Sequence, residues 1–386
     1  MSRFLGFFAT AMGIYALVNA YILRRAFQGL EGPGWANASV RAFLVLWALS
    51  YPVGRIVERL LPSANFPRTL VVWGSVYLGF MVTTLFLFAA ADIAFLAGRL
   101  APGLPFAGHR GPAAPALRRT VLLAVAVLSA LIVGLGAVNS LFPRVREATV
   151  ALKGPAGRPL RVVLFSDLHM GPLMGNGRVR SLVRKVNALS PDVVLLVGDI
   201  VDEDISRLAE ERMAEALRDL SPKLGSFAVT GNHEYYAGEE EAVSYLESAG
   251  ITVLRDQAVV LDGRLVLAGR KDLTAARFGG SRLPLPKILE GLPEGKPVLL
   301  MDHQPRNLEE SEAAGVSLQV SGHTHNGQIF PFNFVTSRIY EVSRGWGSRG
   351  DTKVLVSSGV GTWGPPMRTS AAPEIWILTL EFTGDR

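Results

Sequence analysis

Arg161-Val162-Val163-Leu164-Phe165-Ser166-Asp167-Leu168-His169 is the stretch from which the second half of this chain can be read. Its apolar, β-branched run predicts a buried strand, and the run stops abruptly at Asp-x-His. A strand that carries a carboxylate and an imidazole to its C-terminal end sets metal-capable groups on a rigid support. Taken alone, the same letters also describe a strand followed by an ordinary polar turn. Recurrence of the pattern along the chain decides between the two.

It recurs four more times. Val193-Val194-Leu195-Leu196-Val197 ends in Gly198-Asp199, and Ser226–Val229 ends in Thr230-Gly231-Asn232-His233-Glu234. Val298–Met301 ends in Asp302-His303, and Leu318-Gln319-Val320 ends in Ser321-Gly322-His323-Thr324-His325. The chain has six histidines, of which five sit at these strand ends; His109 lies apart, in a stretch rich in Pro, Gly and Ala over residues 100–117. One histidine after a strand is ordinarily structural, but five beside Asp, Asn or Gly at such ends describe a shared site. Imidazole, carboxylate and amide oxygen together suit a borderline divalent metal. Between the strands, helical patterns near 179–189 and 206–219 predict stacked sheets flanked by helices.

The first half differs in kind. Hydrophobic residues make up 49% of the chain, high for a soluble protein, and the excess lies before residue 150. Four apolar segments, at 4–23, 36–54, 69–91 and 120–142, have membrane-spanning length, so residues 1–145 are expected to form a multi-pass membrane domain. The second holds Arg41, which would have to snorkel. The opening Met-Ser-Arg followed by an apolar run also resembles a signal peptide, although the run is long for a signal core. With four spans the N-terminus and the downstream domain share a side. Seven basic residues then flank each face, and the positive-inside rule selects neither.

Charge divides in the same place. Residues 1–150 hold thirteen arginines, no lysine and four acids, a net of +9, and the remainder holds 26 basic and 29 acidic residues, a net of −3. The basic character therefore belongs to the membrane half, and the second domain has no electrostatic footprint for long nucleic acid. The absence of cysteine excludes disulfides, thiolate metal sites and cysteine nucleophiles.

The order Asp-x-His, Gly-Asp, Gly-Asn-His-Glu, His, Gly-His-x-His resembles the calcineurin-like metallophosphoesterase superfamily, over residues 150–386. Gly327-Gln328-Ile329 and Ala372-Pro373-Glu374-Ile375 are similar to the bacterial membrane-associated branch of phosphodiesterases and lipid A-pathway-type pyrophosphatases. The resemblance implies a four-layer α/β/β/α sandwich holding two divalent metals (Mn, Fe, Zn, Co or Ni). It assigns Asp167, His169 and His325 to one metal, Asn232, His303 and His323 to the other, and Asp199 to both. His233 is left free of metal to stabilise or protonate the leaving oxygen, with Glu234 or another carboxylate orienting it. Glu234 stands where many members of the superfamily have Asp.

The expected activity is metal-dependent hydrolysis of a phosphodiester, pyrophosphate or phosphomonoester, and the membrane tether favours a lipid-linked substrate. Alternatives are a nuclease or small-nucleotide phosphodiesterase, and a non-catalytic metal-stabilised membrane sensor, which would have no need of His233. Phe330, Phe332, Phe334, Tyr340 and Trp346, with Arg338, Arg344 and Arg349, crowd the segment after the last ligands. They form either a loop folded over its own aromatics or a lip guiding a lipid phosphate to the metals. Arg368 is a weaker candidate for contact with substrate phosphate.

Overall fold

The computed structural model describes residues 2–30, 34–61, 65–100, 115–202, 205–210 and 212–384. It divides into two units.

The first unit comprises Met1–Ala137 with Gly364–Met367. Its helices are α1 (Ser2–Gly29), α2 (Trp35–Leu60), α3 (Asn65–Leu100) and α4 (Pro115–Ser140). Within them Trp35–Glu58, Phe66–Gly98 and Pro115–Ser140 are long and apolar enough to cross a membrane. The segments expected at 4–23, 36–54 and 69–91 lie inside longer helices, and the last helix ends two residues before 142. At ~1.5 Å per residue, the 36 residues of α3 reach about 54 Å, well past a hydrocarbon core of about 30 Å. Large apolar side chains such as Leu17, Leu46, Ile93 and Leu135 face outward, as suits a helix surface solvated by lipid. The Arg41 guanidinium donates to the Leu30 carbonyl at the end of α1 and lies over the Phe27 ring. Arg25 pairs with Asp92 at 2.7 Å, and the Tyr21 hydroxyl donates to the same carboxylate. Residues 101–114, including His109, fall outside the described residues.

The second unit comprises Val138–Trp363 and Arg368–Arg386. In chain order it contains β1 (Arg144–Leu152), β2 (Leu160–Phe165), α5 (Asn176–Ala188), β3 (Val193–Val197), α6 (Ile205–Glu210) and α7 (Met213–Arg218). Then follow β4 (Ser226–Val229), α8 (Asn232–Ala237), α9 (Glu239–Ser248), β5 (Ile251–Val253), β6 (Gln257–Leu261) and β7 (Leu265–Gly269). The remainder is α10 (Leu285–Leu289), β8 (Val298–Met301), α11 (Leu308–Ala313), β9 (Leu318–Ser321), α12 (Phe332–Ile339), β10 (Gly345–Arg349), β11 (Thr352–Val356) and β12 (Glu374–Phe382). The single helix expected over 206–219 is two short ones, with Arg212 between them in a left-handed conformation at φ 55°.

Two six-stranded sheets run in the orders β1-β12-β2-β3-β4-β5 and β10-β11-β9-β8-β7-β6. The opening run explains their stacking. On β2, Leu160, Val162 and Leu164 join the core between the sheets. Val163 and Phe165 alternate into the core beneath α5, α7 and α9. A strand buried on both faces must be apolar throughout, and truncating Phe165 to Ala would cost about 3–5 kcal/mol. A third core, with Ala268, Leu285, Ile288 and Leu300, covers the outer face of the second sheet. The layers are therefore α/β/β/α, as the resemblance implied. Strands β2, β3 and β4 are parallel, and so are β7, β8 and β9. Their C-terminal ends present the polar turns at one place.

Candidate metal centre

Five of the seven expected ligands leave the end of a strand on a strained turn. Asp167 (φ 53°), His169 (φ 50°), Asp199 (φ 52°), His323 (φ 70°) and His325 (φ 47°) all occupy the left-handed region. That conformation costs an L-residue roughly 1–2 kcal/mol, and it occurs where a site over-determines the backbone. Two glycines make room. A Cβ on Gly231 would strike Asp199 Oδ1, and one on Gly322 would meet the Asp167 carboxylate.

The side chains converge in two groups that share one residue's neighbourhood. Asp167, His169 and His325 place ligand atoms within 4.8 Å of one another, and so do Asp199, His303 and His323. In the first, His169 Nε2 is 3.1 Å and Asp167 Oδ1 is 3.3 Å from His325 Nε2. Asp199 Oδ2 lies 3.1 Å from His303 Nε2 and 4.0 Å from His169 Nε2, so a single carboxylate oxygen faces both groups. The His303 Nδ1–H donates to the Val197 carbonyl at 2.7 Å, which leaves Nε2 as the coordinating nitrogen. Asn232 is buried at the start of α8.

These residues fit a metal on a test internal to the fold. His303 Nε2 and Asn232 Oδ1 are buried without a hydrogen-bond partner. Buried polar atoms are normally satisfied, and two orphans among seven expected ligands mark a place that a cation would complete. Burial pushes the Asp199 carboxyl up, but His303 and His233 outweigh it and hold the group well below the usual range. Burial, with Arg368 and His169, keeps His325 neutral, and burial with His303 lowers His323 to about 3. Burial also lowers His303, but Asp199 outweighs it and holds that imidazole well above its usual value, so ligation at His303 would release a proton.

His233 stands at the edge of this arrangement. It shares a third close group with His169 and Asp199, so proximity alone would let it ligate. However, its Nδ1 lies 2.7 Å from Asp202 Oδ1, and its side chain keeps 12% exposure where His169 keeps 1%. Burial lowers its pKa, but Asp199 and a hydrogen bond to Asp202 raise it to about 9. The ring is charged at neutral pH and has a proton to give. Its neighbours include the rings of Tyr236 at 5.4 Å and Trp363 at 5.9 Å.

Of the two options for orienting His233, the structure takes the carboxylate other than Glu234. Glu234 is fully buried and accepts four backbone N–H groups, from Asp199, Ile200, Val201 and Gly231. It therefore fastens the Asp199 turn to the start of α8. Asp202 meets His233 and also lies 3.3 Å from His169 Nδ1. It reaches both because the strand pairing continues past β2 and β3, through the Met170–Val201 bridge and the Asp202 N–H to Met170 carbonyl bond. The available sequence signal was a second carboxylate three residues beyond Asp199, which is weak. Arg368 is also placed differently from its expectation. It is wholly buried, donates to the Gly361 and Ser358 carbonyls and lies 3.1 Å from His325 Nδ1, so it positions a ligand and does not meet substrate.

The chain is similar in sequence to known proteins. The sequence model for calcineurin-like phosphoesterases matches residues 160–327. A metallophosphoesterase of Aquifex aeolicus is 37% identical over 248 residues, 63% of this chain and 94% of its own length. A Danio rerio transmembrane protein with a metallophosphoesterase domain is 34% identical over 290 residues, covering 70% of this chain and 64% of that protein. A Helicobacter pylori metallophosphoesterase is 35% identical over 240 residues, 62% of this chain and 64% of its own length. This chain thus spans under two thirds of the latter two relatives. With apolar helices of membrane-spanning length ahead of a domain of this fold and site, the chain belongs to the calcineurin-like metallophosphoesterases and is a metal-dependent phosphoester hydrolase.

Proposed function

We propose that this chain is a multi-pass membrane phosphoesterase with a dinuclear centre, acting on a lipid-linked phosphodiester or diphosphate. Asp167, His169 and His325 would hold one ion, Asn232, His303 and His323 the other, and Asp199 both. When bound, two divalent ions supply Lewis acidity at the phosphoryl oxygens and make water nucleophilic near neutral pH. The protein's own part is to aim and protonate. Asp202 fixes the His233 ring through Nδ1, leaving Nε2 to give a proton to the departing oxygen. Glu234 keeps the Asp199 turn rigid beneath it.

The observation that carries the lipid reading is α12. It begins five residues after the Gly327 that closes the ligand turn, none of its residues is buried, and Phe334, Val335 and Ile339 are each more than half exposed. Phe330, 59% exposed, extends the same patch. An exposed apolar helix beside a catalytic centre, in a chain that carries its own membrane spans, suits the acyl region of a bilayer. Arg338 is the one exposed basic residue on α12, and several other lip residues are engaged elsewhere. Trp346 packs against Trp376, Arg344 lies near Glu374, and Arg349 pairs with Glu341 and Glu312. The lip is accordingly more apolar than basic.

Substituting Phe330, Phe334 and Ile339 together by Ser tests this reading. Hydrolysis of a vesicle-embedded phospholipid or nucleotide-linked lipid should fall about tenfold or more, the scale of losing several apolar contacts. Turnover of bis(p-nitrophenyl) phosphate should stay within twofold. Parallel loss on both substrates would make α12 structural, and no loss on either would remove the lipid assignment.

A further inference from the structure

His303 begins a tight turn, His303-Gln304-Pro305-Arg306, in which the Arg306 N–H donates to the Gln304 carbonyl at 2.8 Å. The Gln304 amide is clamped at 2.8 and 3.0 Å by the buried Asp272 carboxylate. Arg306 is thus delivered from a rigid base three residues beyond an expected ligand. The residue is exposed to solvent, and its guanidinium carbon lies 4.7 Å from the centre of the Tyr340 ring. That ring in turn meets His323 edge-on at 6.0 Å.

Three other arginines of this unit, Arg270, Arg282 and Arg368, are engaged within the protein. Arg270 pairs with Glu310 at 2.7 Å and Arg282 pairs with Asp302. Arg368 is buried on carbonyls. Arg306 has no carboxylate partner among the described residues. A guanidinium held over an aromatic ring can keep N–H groups free for a bidentate contact with an oxyanion.

Building on the dinuclear reading above, we infer that Arg306, held on Tyr340, is the specificity-determining contact for a second phosphoryl group attached to the scissile one, so that the site prefers a diphosphate to a simple phosphate ester. By the two ring contacts the guanidinium lies within about 11 Å of the His323 ring centre, a span that a diphosphate and the arginine's own reach can close. His233 stands against a different neighbourhood, with Tyr236 and Trp363. The second phosphoryl therefore lies on the His323 side of the centre.

Two non-hydrolysable ligands test this by calorimetry on the manganese-loaded full chain in detergent. Methylphosphonate carries one phosphoryl group and methylenediphosphonate carries two. Arg306→Ala should weaken methylenediphosphonate by about 10- to 100-fold, the range for charge-assisted hydrogen bonds. It should leave methylphosphonate within threefold, and Arg306→Lys should fall between. Equal weakening of both ligands, or of neither, overturns the role of Arg306. Methylphosphonate binding to the unsubstituted chain, and its loss in Asp199→Asn, report separately on the centre. If neither ligand binds the unsubstituted chain, the dinuclear reading falls and this inference falls with it.

Discussion

Glu234→Gln separates a residue that holds the fold from one that serves the chemistry. Glu234 Oε1 accepts from Ile200 N at 2.7 Å and Val201 N at 3.1 Å, while Oε2 accepts from Asp199 N at 3.0 Å and Gly231 N at 2.6 Å. Glutamine keeps the shape but turns one oxygen into an NH2 group, which must face two N–H donors whichever way the amide is flipped. Two buried donors are then unpaired, at about 1–3 kcal/mol each, a total of about 2–6 kcal/mol. For a unit of this size, 1 kcal/mol moves the midpoint by about 2–4 °C, so the expected loss is roughly 5–20 °C. The measurement is thermal unfolding of the full chain in detergent, followed by near-ultraviolet circular dichroism with excess chelator so that metal binding plays no part. A metal-free shift below about 2 °C would refute the four-bond anchor. A shift confined to the metal-loaded protein would return Glu234 to the role expected from the sequence, acting through the centre.

Metal content and turnover should divide the remaining residues. Asp199→Ala removes the carboxylate that faces both groups, and elemental analysis should find both ions lost together with activity. His233→Ala should keep two ions per chain while turnover falls about 10²–10⁴-fold, the usual worth of a general acid. Equal metal loss in these two variants would make His233 a ligand. Asp202→Asn should lower turnover about 10- to 100-fold, because a neutral amide holds the His233 ring less firmly and touches His169 as well. Unchanged turnover would leave Asp202 a bystander.

What was legible in the sequence follows from what each residue depends on. Strands β2, β3, β4 and β8 could be read almost to the residue, because a strand buried on both faces must be continuously apolar and must stop where its chain turns polar. The place of β12 could not. It inserts between β1 and β2, parallel to one and antiparallel to the other, and nothing local in Glu374–Phe382 specifies that choice. The break at Arg212 was hidden for a related reason, since an arginine in a charged helical pattern gives no warning of a positive φ. Helix α12 is not legible as a helix because its apolar residues find no core, and periodicity is ordinarily interpreted as burial.

The site shows the same limit more sharply. Asp199, Asp202 and Glu234 are three carboxylates in two short turns, and sequence treats them alike. Their roles separate only once the chain is closed. The extension of the β2–β3 pairing through Met170 and Val201 brings Asp202 to the far nitrogens of His169 and His233. The four N–H groups converging on Glu234 then remove it from the cleft. Strain was equally invisible, because Asp and His are unremarkable letters in a turn. Five ligand residues held in the left-handed region amount to about 5–10 kcal/mol of local cost at roughly 1–2 kcal/mol each. Something must hold them there without metal. Glu234 does so on the Asp199 turn, and the Asp167 carboxylate does so on the other side, accepting the His323 N–H at 2.9 Å. Both turns are therefore braced by carboxylates bonded to backbone, and with the backbone so fixed His303 keeps an unpaired Nε2 for a cation.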